Sequence, residues 1–90
     1  MKKILIHAAE AGVASYIESI EDILIKGGYD LYYDVYGKAK NVLPSRPKWD
    51  QKKVDLIICG YDRPEIDKTK KFIDQASLID CPKIGLLDAW

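Results

Sequence analysis

The chain has 90 residues, which suits one domain with one core and leaves no room for a separate catalytic domain. Hydrophobic residues make up 48% and charged residues 31%, a composition that excludes a disordered or fibrous protein. Lysine plus arginine and aspartate plus glutamate number 14 each, so the formal net charge is zero. This balance argues against nucleic acid as a partner of the whole surface.

No apolar run approaches the roughly 18 to 20 residues that span a bilayer. The start Met1–Lys3 followed by Ile4–Ile6 imitates a signal peptide, but the apolar run is too short and Glu10 interrupts its continuation. The sequence therefore predicts a cytoplasmic protein with no membrane contact.

The first predicted elements are a buried strand over Lys3–Ala8 and an amphipathic helix. The strand is almost continuously apolar, which is typical of a strand covered on both faces of a parallel sheet. The apolar stripe of the helix consists of Val13, Ile17, Ile20 and Leu24. Its opposite, polar side consists of Glu18, Glu21, Asp22 and Lys26. Gly27–Gly28 is predicted to end the helix.

The second predicted strand, Tyr29–Tyr36, alternates between two faces. One face carries Leu31, Tyr33 and Val35, and the other carries Tyr32, Asp34 and Tyr36. Such alternation predicts a strand near the edge of the sheet with one face partly wet. The connection after this strand is too interrupted for a full crossover helix, so we expect only a single turn around residues 38–42.

The third and fourth predicted strands, Val54–Gly60 and Pro82–Leu87, again read as strands covered on both faces. The helix between them opens at Asp62, a capping residue, with Pro64 in its first turn. Its predicted buried stripe is Ile66, Thr69, Phe72, Ile73, Ala76 and Ile79.

Alternation of strands and helices predicts an α/β fold, a small three-layer Rossmann- or flavodoxin-like domain. We expect four parallel strands in the order 2-1-3-4 and a single domain over residues 1–90, with a longer natural protein left open. Cys59 and Cys81 then lie about a strand length apart, roughly 17 Å. A disulfide needs Cα atoms within about 7 Å, so no bridge between them is expected.

Ligands of open parallel sheets bind beyond the C-terminal ends of the strands, where the strand order reverses. Two loops, 7–12 and 60–63, line that crevice. The candidate ligand-binding residues are His7, Glu10, Gly12, Ser15, Gly60, Arg63 and Asp88. Five of them have an ordinary structural alternative: dipole complementation for Glu10, a structural role for His7, packing for Ser15, a tight turn for Gly60 and an ordinary surface position for Arg63.

The sequence lacks the motifs of phosphate-binding and metal-binding sites. The loop after the first strand has no glycine-rich phosphate fingerprint, and no spacing predicts a metal site, so no cofactor and no metal are expected. No catalytic residue can be named, and whether the protein is an enzyme stays open. Asp34, near the end of the second strand, occupies the place of a ribose-binding acid but lacks the accompanying glycines.

The connection over residues 38–53 is basic, with six lysines and arginines against Asp50 alone. Trp49 lies inside it. A basic loop with an aromatic side chain suits an anionic partner or a nucleotide base. The alternative is a solvated loop whose tryptophan is packed against the core.

The sequence resembles the N-terminal Rossmann-like half of two-domain glycosyltransferases and of the related UDP-N-acetylglucosamine 2-epimerases. The segments that carry the resemblance are Lys3–Ala8, Ala11–Tyr16, Lys26–Asp30, Val54–Gly60 and, more loosely, Pro82–Asp88. They cover most of the chain, but their motifs are common to Rossmann-like folds. The resemblance implies an acceptor-side half that handles a sugar or nucleotide-sugar and lacks full activity alone. It carries over only Glu10, Gly12 and Gly60, as crevice residues.

A second hypothesis is a non-catalytic interaction module. A sheet that ends on an apolar strand leaves an open edge, which predicts pairing with another copy or with a C-terminal second domain. Trp90 after that strand supports the same hypothesis.

Overall fold

The computed structural model describes residues 2–50, 53–61 and 66–87. Its elements in chain order are β1 (Lys3–Ala8), α1 (Ala11–Lys26), β2 (Asp30–Val35), α2 (Ala39–Val42), β3 (Leu56–Tyr61), α3 (Ile66–Ala76) and β4 (Lys83–Leu87). The strands form one parallel sheet in the order β2-β1-β3-β4. The α/β class, the all-parallel sheet and its strand order are confirmed, and so is the short helical turn at α2.

The core consists of one apolar layer on each side of the sheet. On one side, Ile4, Ile6 and Ile58 pack against α1 and α2. On the other side, Leu5 and Ile57 pack with Phe72 of α3. Because side chains alternate along a strand, β1 supplies both layers, and its residues from Ile4 to Ala8 are fully buried. This places β1 at the centre of the molecule.

α1 ends where the paired glycines predict. Gly28 has φ +88°, the left-handed conformation that glycine adopts without a Cβ penalty, and its amide donates to the carbonyl of Ile25 at 3.0 Å. The chain can therefore turn sharply from α1 into β2.

Glu21 departs from the sequence prediction. The pattern puts it on the polar side of α1, yet its exposure is only 8%. Its carboxylate accepts hydrogen bonds from Arg46, at 3.0 Å from Nε and 2.9 Å from Nη2, and from the Tyr33 hydroxyl. A buried carboxylate is tolerated only with such partners, and these lie in β2 and in the connection after it.

β2 is the outermost named strand on its side, as predicted, but its outer edge is partly covered. The connection returns along it, so the Tyr33 amide donates to the Pro47 carbonyl and the Trp49 amide donates to the Tyr33 carbonyl, both at 2.9 Å. Pro47 has no amide hydrogen, so the pairing cannot extend through residue 47 toward the start of β2.

The prediction that β4 is covered on both faces is wrong. Ile84 pairs in register with Ile58, which puts it on the α1 side of the sheet, and it is 48% exposed. Leu86, two residues later on the same face, is partly buried against the core on the α1 side, so the uncovered part of this face lies at Ile84. A continuous apolar run thus indicates a strand whose faces are suited to burial, but it does not show that this chain supplies the covering surface. In the described part of the chain nothing covers Ile84 fully.

Cys59 and Cys81 are free thiols. The predicted cap at Asp62 and the candidate residues Arg63 and Asp88 lie outside the described residues, as does Trp90. In the part of the chain that is described, no helix is both long enough and apolar enough to cross a membrane.

Candidate ligand-binding site

The candidate site is a cavity of about 540 Å³ beside the C-terminal half of β2, between that strand, α2 and the returning connection. We call it the β2 cavity. Its polar and aromatic lining comprises Tyr33, Asp34, Tyr36, Lys40, Ser45, Arg46, Lys48 and Trp49, and its apolar lining comprises Val35, Leu43 and Pro44. Arg46 is paired with Glu21, so two lysines against the Asp34 carboxylate give the lining a positive balance, which favours an anionic ligand.

Asp34 supplies the one carboxylate of the β2 cavity. In the parallel register of β1 and β2 it lies directly beside His7, so both side chains project from the same face of the sheet. His7 Nδ1 is 3.0 Å from Asp34 Oδ2. The side chain of Asp34 retains 21% exposure, whereas that of His7 has none. The Asp34 carboxylate therefore contacts the buried His7 ring and also lines the cavity.

Tyr36 contributes a second hydrogen bond to the Asp34 carboxylate. Burial, and then this bond and the negative charge of Asp34, raise the pKa of Tyr36 to about 12. The phenol therefore stays protonated at neutral pH and acts as a donor. His7 and Tyr36 are thus two hydrogen-bond partners of the Asp34 carboxylate, and carboxylate oxygens accept hydrogen bonds.

Aromatic rings form the wall behind Asp34. The His7 ring is stacked on the Phe72 ring, with centroids 4.4 Å apart and planes 17° apart. Trp49 is half-buried and meets Phe72 edge-on at a centroid distance of 5.8 Å. This contact confirms that the tryptophan of the basic connection packs against the core. Its ring is also part of the cavity lining.

Arg46 is committed to the fold. Besides its two bonds to Glu21, its Nη1 donates to the Pro44 carbonyl at 2.9 Å. The paired Glu21 carboxylate raises the pKa of Arg46, and the Arg46 bond in turn lowers the pKa of Glu21 despite burial. Arg46 therefore anchors the connection to α1, and Lys40 and Lys48, both exposed, remain as the cations that an anionic ligand can meet.

The residues predicted for the crevice are only partly brought together. Glu10 is the N-cap position of α1, and its side chain makes no capping hydrogen bond. Gly12 and Ser15 are exposed on the first turns of α1. Gly60 is buried, and a Cβ there would lie 2.6 Å from Val13 Cγ1, so the close packing of α1 on β3 requires this glycine. Their contact with a ligand remains a prediction.

The pairing of His7 with Asp34 is absent from the sequence prediction. In the structure each is the fifth residue of its strand, and the parallel register puts them side by side. In the predicted strand Tyr29–Tyr36, Asp34 is the sixth residue, so the sequence signals only that both residues lie near the ends of two predicted strands. The roles of Tyr36 and Lys48 as lining residues have no comparable signal, because they depend on the path of the connection.

Two other cavities fit a polar anionic ligand less well. A larger one, about 650 Å³, lies between α1 and the start of β2, and its lining includes Glu21, Asp22 and Asp30. Another, about 430 Å³, lies between α3 and the strands β3 and β4 and is lined mainly by apolar side chains. Among the described residues, no group of three or more histidine, cysteine, aspartate or glutamate side chains is arranged to hold a metal ion.

No protein-family model, curated protein or solved structure matches the chain.

Proposed function

We propose that this domain binds a sugar or nucleotide-sugar, with the sugar in the β2 cavity and its phosphate at the cavity's lysines. The observation that carries the proposal is the lining itself, which combines the Asp34 carboxylate, the Trp49 ring and the amines of Lys40 and Lys48. Sugar hydroxyls donate to carboxylates, the apolar face of a sugar ring packs on an aromatic ring, and ammonium groups bind phosphate.

The resemblance to the N-terminal half of two-domain glycosyltransferases and 2-epimerases points in the same direction. It suggests that the domain is an acceptor-side half without full activity alone, in a cytoplasmic protein. Because the β2 cavity lies toward the C-terminal end of the sheet, a bound molecule can extend toward the predicted crevice residues Glu10, Gly12 and Ser15. That extension stays a prediction.

The test uses the fluorescence of Trp49. The sequence has two tryptophans, so the variant Trp90→Phe leaves Trp49 as the sole reporter. Titration with UDP-N-acetylglucosamine and with glucose 1-phosphate is expected to change its emission saturably. Glucose, which lacks phosphate, is expected to bind at least about tenfold more weakly, because it forgoes a charge-assisted hydrogen bond.

Lysine variants sharpen that test. Lys48→Ala is expected to weaken binding of both phosphate-bearing probes about tenfold. Lys38→Ala is the matched control, because Lys38 is an exposed lysine of the same connection outside the cavity lining. Equal binding by both variants, or no response of Trp49 to any probe, refutes the proposal.

The open side of β4 favours a second candidate function, an interaction module. Ile84 on the sheet is 48% exposed, and Tyr16 and Ile23 of α1 are 55% and 70% exposed. We propose as the alternative that a second copy pairs through the edge of β4 and covers Ile84. A C-terminal second domain on the same edge is the competing occupant and predicts that the isolated chain stays monomeric.

A further inference from the structure

The buried ring of His7 has a place in the site although it is out of reach of a ligand. It has 0% exposure, it lies near the end of the central strand, and Phe72 stacks on it. A histidine costs free energy when buried unless its polar atoms are bonded, so its position needs a partner. Asp34 is that partner, at 3.0 Å from Nδ1.

The direction of this bond follows from the chemistry of its acceptor. Carboxylate oxygens accept hydrogen bonds, so we take His7 as the tautomer with its hydrogen on Nδ1 and Asp34 Oδ2 as the acceptor. The Tyr36 phenol donates to the same carboxylate. His7 in the central strand and Tyr36 just after β2 therefore both hold the Asp34 carboxylate. The Asp34 side chain is 21% exposed.

We infer that His7 is a positioning residue that fixes the Asp34 carboxylate for hydroxyl groups of the ligand. The inference rests on the proposed function for the identity of that ligand. Because Asp34 only accepts hydrogen bonds, the ligand atoms it meets are donors, which for a sugar are hydroxyl groups. Without His7, the carboxylate side chain regains rotational freedom and loses one of its donors.

A pair of variants separates the hydrogen bond of His7 from its ring. His7→Asn keeps an amide N–H close to the place of Nδ1 and removes the ring. His7→Phe keeps a ring that can stack on Phe72 and removes the N–H. If His7 acts through Asp34, His7→Phe weakens binding of UDP-N-acetylglucosamine about tenfold, and His7→Asn stays within about threefold of the unmodified chain.

Two results overturn the inference in this binding test. One is unchanged binding by His7→Phe. The other is equal weakening by both variants, which assigns the effect to the lost packing and not to the N–H donor. Thermal unfolding of both variants accompanies the titration, so that only folded protein is compared.

A second readout does not depend on the ligand. Crystal structures of the two variants are expected to show the Asp34 side chain in its original rotamer in His7→Asn and rotated in His7→Phe. An unrotated Asp34 in His7→Phe overturns the inference. If the unmodified chain binds neither UDP-N-acetylglucosamine nor glucose 1-phosphate, the proposed function fails, and the rotamer of Asp34 still decides the role of His7.

Discussion

At the scale of single residues, two carboxylates with hydrogen-bonded partners have different exposures: Glu21 is buried and Asp34 is partly exposed. The Glu21 carboxylate accepts hydrogen bonds from Arg46 and Tyr33, and the bond from Arg46 attaches the connection to α1. The Asp34 carboxylate is hydrogen-bonded to His7 and Tyr36, and its side chain stays partly exposed in the β2 cavity. The first arrangement is closed and structural, whereas the second leaves a carboxylate edge for a ligand. Because of this difference in exposure, we assign a structural role to Glu21 and propose a ligand-binding role for Asp34.

Removing the charge of Glu21 tests the structural member. We expect Glu21→Gln to lower the free energy of unfolding by about 1–3 kcal/mol, because Arg46 and Tyr33 lose an ionised acceptor. Glu18→Gln, on the exposed face of the same helix, is the control and is expected to change stability by less than about 0.5 kcal/mol. Urea unfolding of both variants measures the difference, and equal stabilities contradict the structural role.

The same carboxylate predicts how stability depends on pH. The Arg46 hydrogen bond lowers the pKa of Glu21 below its ordinary value of 4.5. The carboxylate therefore stabilises the fold above pH 4.5, and this contribution is lost as the pH falls below that value and through the lowered pKa.

We expect the unmodified chain to lose more stability than Glu21→Gln between neutral pH and about pH 3. Urea unfolding at the two pH values measures both losses. Equal losses in the two proteins would mean that Glu21 contributes nothing to the acid sensitivity.

At the scale of elements, apolar periodicity predicts what each segment forms, and it leaves out what depends on distant partners. The strands β1 to β4, the helix α1 and the turn α2 were predictable because their patterns are local. The burial of Glu21 was not, since Arg46 lies 25 residues away along the chain. The β2 cavity was not predictable either, because it forms only when the connection pairs with the edge of β2.

Gly60 shows how one element limits another. The close approach of Val13 leaves 2.6 Å for an added Cβ, so Gly60→Ala is expected to destabilise the fold by about 1–3 kcal/mol through overpacking. The double variant Gly60→Ala with Val13→Ala makes room for the methyl group and is expected to be more stable than the sum of the two single changes predicts. Thermal or urea unfolding of the four proteins measures this coupling, and strict additivity would contradict it.

At the scale of the whole molecule, the two edges of the sheet differ in how far they are covered. The connection covers part of the edge of β2, while at the opposite edge Ile84 of β4 is 48% exposed. An apolar strand with a free edge is a place for pairing with another chain. The candidate binding cavity and this open side lie on opposite edges, so ligand binding and self-association can be tested separately.

Self-association through β4 predicts a size that grows with concentration. The radius of gyration of one chain is 12.0 Å. If copies pair through β4, small-angle X-ray scattering of a concentration series gives rising values, and Ile84→Lys abolishes the rise. Ile25→Lys, at an exposed isoleucine that lines the cavity between α1 and β2, is the control and leaves the rise unchanged. A constant radius at all concentrations contradicts self-association.

The most direct test of the central claim is an amide-resolved NMR titration of the chain with UDP-N-acetylglucosamine. We expect saturable shifts that cluster on Asp34–Tyr36, Lys40 and the segment Ser45–Trp49, and that weaken in Asp34→Asn. Shifts confined to Ala9–Ser15 and Gly60 would place the ligand in the crevice and contradict a site in the β2 cavity. A silent spectrum throughout would contradict binding of a nucleotide-sugar by this domain.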